Sequence, residues 1–265
     1  MKLCRFSTDF NERPTATAGP QIHYGALEGK VIRVLEGDPF GAHAVTDAWH
    51  NVDQVRLLPP SVPSKIVCVG RNYLEHAREL QNEVPAEPLI FLKPPSAVIT
   101  SGYDIVYPPQ SQRVDHEGEI GVVIGRRCRR LGAGEDVAPY IFGYTCVNDI
   151  TARDLQKKDG QWTRAKGFDT FCSFGPVIAS DADPARLEVR ASVNGELRQR
   201  GDVSQMVFPI DVVVRFISQV MTLEPGDLIA TGTPAGIGPM KPGDTVEVAI
   251  EGIGVLRNTV VGCGL

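Results

Sequence analysis

No two of the six cysteines form a CxxC pair; Cys4, Cys68, Cys128, Cys146, Cys172 and Cys263 are scattered along 265 residues. That spacing argues against a zinc ribbon or a disulfide framework and predicts a reduced chain. No apolar run reaches the roughly 18 residues needed to span a bilayer. The N-terminal run Met1-Lys2-Leu3-Cys4-Arg5-Phe6 lacks the apolar stretch of a signal peptide. The expectation is a cytoplasmic protein with no membrane partner. Excess charge of either sign is also scarce: the net charge is −5, which gives no general reason to expect nucleic-acid binding. The one basic run, Arg126-Arg127-Cys128-Arg129-Arg130, reads as a solvated turn. There is no internal repeat and no βαβαβ alternation, so a doubly wound nucleotide fold is not expected. The glycine-rich loop from Pro225 to Gly238 lacks a GK[ST] ending and a following helical pattern, which argues against a Walker loop. Its amides and threonine hydroxyls could still grip a carboxylate.

Glycine and proline, by contrast, are plentiful: 27 and 20 residues cut the chain into short pieces, most of which read as strands. Strands are expected over 21–27, 30–35, 65–70, 120–124, 144–148, 227–231, 244–250 and 255–261. Helices are few: one over 72–80, one over 149–157, and the clearest over 209–221. There Ile210, Val213, Val214, Ile217, Val220 and Met221 fall at helical spacing. Pro59-Pro60-Ser61-Val62-Pro63 is a stiff connector and the best boundary candidate. Apolar residues make up 42% of the chain, enough for a sizeable core in the remainder.

The most informative segment is Asp115-His116-Glu117-Gly118-Glu119, leading into the apolar run Ile120–Ile124. Strand side chains alternate, so Glu117 and Glu119 share a face. Two carboxylates that close, beside a buried strand, call for a compensating cation, and oxygen-only ligation favours Mg²⁺ or Mn²⁺ over zinc. The competing reading is a solvated strand end on which two acids share a face. Asp149, at the end of another apolar strand, is either a third ligand or a helix N-cap. His76 and Glu79, three apart on a helix, form either a carboxylate-oriented base or a surface ion pair. Lys166 leads into an aromatic stretch that could hold it toward a pocket.

Several blocks in this order resemble the fumarylacetoacetate hydrolase superfamily. They are Val69-Gly70-Arg71-Asn72-Tyr73, Phe91-Leu92-Lys93-Pro94-Pro95, Glu117-x-Glu119, Asn148-Asp149-Ile150-Thr151-Ala152-Arg153-Asp154, Lys166-Gly167-Phe168-Asp169 and Thr231-Gly232-Thr233-Pro234. The match runs from about Lys65 to the C-terminus. It is nearest the compact branch of acylpyruvases, oxaloacetate decarboxylases and 2-hydroxyhepta-2,4-diene-1,7-dioate isomerases. The resemblance implies a β-rich α+β fold: a mixed β-roll with few helices over 61–265, a small N-terminal β domain over 1–60, and a homodimer. It implies one Mg²⁺ or Mn²⁺ per chain on Glu117, Glu119 and Asp149. His76 and Glu79 would be a dyad on a lid helix that orders when substrate binds, and Lys166 would polarise the substrate's oxygens. Thr233 would contact the substrate carboxylate, and Arg71, Arg153 and Gln156 would make further substrate contacts. The activity implied is cleavage of a 2-oxo (β-diketo) acid through a pyruvate enolate, by acylpyruvate hydrolysis or oxaloacetate decarboxylation. The isomerase is the alternative, and a non-catalytic ligand-binding protein the remaining one.

Overall fold

A computed structural model describes residues 1–9, 22–79 and 83–264. The fold is mostly β, organised around a 12-stranded sheet with smaller sheets of five and three strands. The large sheet runs in the order His43–Asn51, Val31–Gly37, Ile22–Glu28, Lys2–Ser7, Cys172–Ala179, Ile141–Asp149, Gly118–Ile124, Leu228–Ala230, Ile66–Gly70, Leu89–Lys93. Arg56–Leu58 and Val98–Ile99 pair off this path, with Lys2–Ser7 and Cys172–Ala179 respectively. The sheet crosses the proline-rich connector without a break, because Leu3 pairs opposite Ile178.

Gly118–Ile124 is buried at every position, since it has hydrogen-bonded neighbours on both edges and packed layers on both faces. Alternation divides its side chains. Ile120, Val122 and Ile124 join Val189, Val248 and Leu256 of the five-stranded sheet, whereas Val123 joins Ile66, Val147 and Phe174 on the opposite face. The glycine between the two glutamates faces the second sheet at close range: a Cβ on Gly118 would lie 2.8 Å from the Ala191 Cβ. Glu-Gly-Glu is thus a packing requirement as well as a chemical one.

Four α-helices are described: α1 (Leu74–Glu79), α2 (Arg153–Asp159), α3 (Thr163–Lys166) and α4 (Ile210–Val220). In α4, Val213, Val214 and Ile217 of the expected face are buried against the same core as Ile120, and Ile210 and Met221 pack partly against it; Val220 is corrected, being 58% exposed at the last helical position. The expected helix over 149–157 is corrected. Asp149 closes the strand Ile141–Asp149, Thr151–Ala152 is a short strand, and helical structure starts only at Arg153. Pairing of Asp149 with Cys172 and of Thr151 with Asp115 holds this backbone extended. Asp149 therefore caps no helix. Strands at Lys2–Ser7 and His43–Asn51 escaped the sequence reading, and of the expected 21–27 and 72–80 elements residues 21 and 80 lie outside the described residues. The arginine run at 126–130 is exposed apart from Cys128, as a solvated turn should be. Five cysteines are buried, Cys263 is exposed, and all are free thiols. Among the described residues no helix is long and apolar enough to cross a membrane.

Candidate active site

Glu117, Glu119 and Asp149 meet at the end of the central strands, each offering a carboxylate oxygen within 4.8 Å of the other two. All three are buried (4%, 2% and 1% exposed), which removes the solvated-strand-end reading. They line a small cavity of about 60 Å³ together with Arg71, His76, Arg153, Gln156, Lys166 and Thr233. Nine of the ten residues expected at the site thus share one cavity, and the tenth, Glu79, stands behind His76 with its Oε2 3.2 Å from Nδ1.

Three buried cations serve the acids. The Lys166 Nζ donates to Glu117 Oε2 at 2.7 Å and to Asp149 Oδ2 at 2.6 Å. Lys93, also fully buried, donates to the other Asp149 oxygen and to the Ile150 carbonyl at 3.0 Å. Arg153 donates to the second Glu117 oxygen, to Asp115 at 3.0 Å and to Gln156 at 2.6 Å. Burial works against the charge on Glu117, but Lys166, then Arg153 and His76, outweigh it and hold the carboxyl well below its usual range. Burial disfavours the Lys166 ammonium too, and there Asp149 and Glu117 reverse the balance and raise it.

Glu119 is the exception. Its hydrogen-bond partner among the described residues is the Gly232 backbone N–H, at 2.7 Å, and no cation pairs with it. Burial, then Asp149 and Glu117, push its carboxyl well above the ordinary value. Asp115 is served by the half-exposed Arg113 as well as by Arg153, and Glu117 and Asp149 by Lys166, Lys93 and Arg153, so among the described residues Glu119 is the one acid of the trio that no cation reaches, beside an oxygen-only donor set. That is an environment a hard divalent cation fits.

The glycine-rich loop does grip a carboxylate, but the protein's own. Gly232, at φ +101°, turns its N–H onto Glu119, and a Cβ there would lie 2.7 Å from that of Asn72. Asn72 anchors the same loop by donating to the Thr231 carbonyl at 2.8 Å and accepting from Phe208 N at 2.7 Å. The Thr233 hydroxyl is already committed, donating to Gly118 O at 2.9 Å and accepting from Gln199 Nε2 at 2.7 Å. The hydroxyl hydrogen is therefore already spent on a backbone carbonyl. Arg153 and Gln156 are likewise bonded to each other and, through Arg153, to the acids. Arg71 is the least committed cation of the site: among the described residues it makes one 3.5 Å hydrogen bond, to the Glu83 carbonyl, from a backbone held at φ +60°. A non-glycine residue in that region costs about 1–2 kcal/mol, a strain typical of functional positions.

On the dyad, a carboxylate such as Glu79 can only accept, so His76 Nδ1 carries the hydrogen in this contact and Nε2 is the ring nitrogen outside it. Glu79 is fixed in turn by the Gly236 N–H at 3.1 Å. The sequence reading gave no role to Lys93, Gln199, Phe91 or Trp162. Lys93 carried a signal, a lone charge closing an apolar strand in Phe91-Leu92-Lys93. Trp162 packs edge-on against Phe91, with ring centroids 5.1 Å apart, and Lys166 Nζ lies 5.0 Å from the Phe91 ring centre. Nothing local marked Gln199 or Trp162.

A β-rich fold that buries three carboxylates beside a histidine–glutamate pair defines the class. The family description "Fumarylacetoacetate (FAA) hydrolase C-terminal" matches residues 65–261, and "Rv2993c-like, N-terminal" matches residues 1–60. The chain belongs to the fumarylacetoacetate hydrolase family. It is 42% identical over 264 residues to oxaloacetate tautomerase YisK of Bacillus subtilis, covering 88% of this chain and 87% of that one. Protein Rv2993c of Mycobacterium tuberculosis is 49% identical over 250 residues, covering 91% and 94%. Among solved structures, 2-hydroxyhepta-2,4-diene-1,7-dioate isomerase from Mycobacterium marinum superposes with a TM-score of 0.88 at 43% identity, covering 100% of both chains.

Proposed function

We propose that this protein is a divalent-metal-dependent enzyme of 2-oxo acids whose central step is proton transfer at the carbon beside the keto group. The observation that carries the reading is one cavity that holds both the acid trio, with Glu119 unpaired by any cation among the described residues, and His76, backed by Glu79. One Mg²⁺ or Mn²⁺ on Glu117, Glu119 and Asp149 would supply Lewis acidity, stabilising negative charge that develops on the keto oxygen. The divalent charge would also make the cavity more positive, which suits an anionic substrate.

The remaining work falls to the chain itself. Arg71 and Thr233, which line the cavity, bind and orient the substrate's carboxylates. Lys166 holds Glu117 and Asp149 in place and presents an ammonium to the substrate's oxygens. His76 Nε2 takes the C3 proton and returns it to the oxygen or carbon of the enolate, with Glu79 stabilising the imidazolium between the two steps. With oxaloacetate this is keto–enol tautomerisation, the activity named for the Bacillus subtilis relative. A related enolate, that of pyruvate, would be the leaving fragment in acylpyruvate hydrolysis, where His76 would deprotonate a water, and in oxaloacetate decarboxylation, where CO₂ departs. Isomerisation of a heptadienedioate is the second reading, favoured by the likeness to the Mycobacterium marinum enzyme. The chain would act as a homodimer, with α1 as the element that closes over substrate.

The test follows the enol absorbance of oxaloacetate with metal-stripped protein and after adding Mg²⁺ or Mn²⁺, with pyruvate release from acetylpyruvate and oxaloacetate measured in parallel. Metal-dependent acceleration of any of the three supports the reading, and their ratio assigns the main activity. Silence on all three with metal bound transfers the assignment to the dienoate isomerase. Failure to bind either metal refutes the proposal.

A further inference from the structure

A second cavity, of about 260 Å³, opens at the junction between residues 1–60 and the rest of the chain. Leu58, Pro63, Val98 and Ile99 contribute apolar wall, and Val62, 45% exposed, also lines it. Arg5 lines the cavity from the strand Lys2–Ser7, where it pairs opposite Tyr24 and Leu58. Its side chain is only 5% exposed, yet among the described residues no acid, carbonyl or hydroxyl accepts a hydrogen bond from the guanidinium. The other three buried cations, Lys93, Lys166 and Arg153, are each paired with a carboxylate. Tyr103 lines the same cavity, with the Arg56 guanidinium carbon 4.6 Å from its ring centre.

A buried guanidinium without a counter-charge is costly, and a cavity is where the missing partner can sit. Apolar walls disfavour a strongly hydrated phosphate or sulfate and favour an organic acid with a hydrocarbon body. We propose that this cavity binds a small monocarboxylic acid, its carboxylate forked on Arg5 and its apolar part against Leu58, Val98 and Ile99. Tyr103 would donate its hydroxyl hydrogen to the same carboxylate. Neither the acid trio nor the dyad takes part.

The experiment is calorimetric titration of the full-length, Mg²⁺-loaded protein, with oxalate saturating the acid-trio site, using acetate, isovalerate, benzoate and uncharged benzamide as probes. The expected result is one saturable site that prefers isovalerate or benzoate to acetate and rejects benzamide. Binding should weaken at least about tenfold in Arg5→Met, the loss of one charge-assisted pair, and remain unchanged in Arg71→Ala. Val62→Glu, at a half-exposed position that does not endanger folding, brings a tethered carboxylate to the cavity and should abolish binding while Val62→Gln retains it. Three results would each overturn the proposal: no saturable binding of any acid, equal affinity for benzamide, or binding that survives both Arg5→Met and Val62→Glu.

Discussion

Replacing Gln199 by leucine is the sharpest perturbation available, because this one buried amide uses all its bonding capacity to tie three segments together. Its Oε1 accepts from Gly118 N at 2.9 Å and faces His116 Nδ1 at 3.0 Å. Its Nε2 donates to Thr233 Oγ1 and to the Pro234 carbonyl, both at 2.7 Å. Leucine fills nearly the same volume but leaves the Gly118 N–H, the His116 Nδ1–H and the Pro234 carbonyl buried without partners. Thr233 keeps its bond to Gly118. Each orphaned group costs about 1–3 kcal/mol, so the expected loss after partial relaxation is about 3–6 kcal/mol. Against a total stability of about 5–15 kcal/mol this is a large fraction. For a chain of this size it corresponds to a fall of at least about 6 °C in melting temperature. Urea denaturation followed by circular dichroism measures it. A second variant, His116→Leu in the Gln199→Leu background, removes one orphan, so the pair should destabilise less than the two single changes summed. A Gln199→Leu variant within about 1 kcal/mol of the parent, or strict additivity, would refute the network's energetic role.

Glu117→Ala and Asp149→Ala should each abolish metal binding and turnover while circular dichroism stays native; full activity after EDTA treatment and substrate saturation would remove the residue from the metal site. His76→Ala should lower kcat by about 10²–10⁴-fold, the usual contribution of a general base, with Mg²⁺ affinity intact by calorimetry. Metal at about 100 times its dissociation constant should stabilise the fold by about 2.7 kcal/mol, read as a rise in melting temperature that EDTA reverses. Of the six cysteines only Cys263 is exposed, and burial pushes the Cys172 thiol up to about 12, so a thiol reagent should label one site in the native protein and six after denaturation.

What could be read from the chain follows from how local each signal is. Alternation places Glu117 and Glu119 on one face wherever the strand goes, and three-residue helical spacing brings His76 to Glu79. The apolar periodicity of 209–221 similarly foretells Val213, Val214 and Ile217 on the buried face of α4, though not the exposure of Val220 at its end. Asp149 defeated local reasoning because its extended backbone is held by Cys172, 23 positions on, and by no capping signal of its own. The edge between residues 1–60 and the remainder shows why composition alone is a partial guide to packing. A proline-rich connector marks the chain boundary, yet Leu3 and Ile178 continue one sheet across it.

The sequence by itself determined the acid pair, the dyad, the β-rich character and the family, because each rests on residue identity or short-range spacing. Only the tertiary structure decided which charges are left unbalanced. Lys93 and Asp149 are 56 positions apart, and Glu119 and Gly232 are 113 apart. Whether a buried carboxylate finds a cation, a backbone N–H or no protein partner depends on which strands become neighbours. Among the described residues that pairing, more than the composition of any segment, leaves Glu119 without a cation beside the active-site cavity and Arg5 without an anion beside the second one.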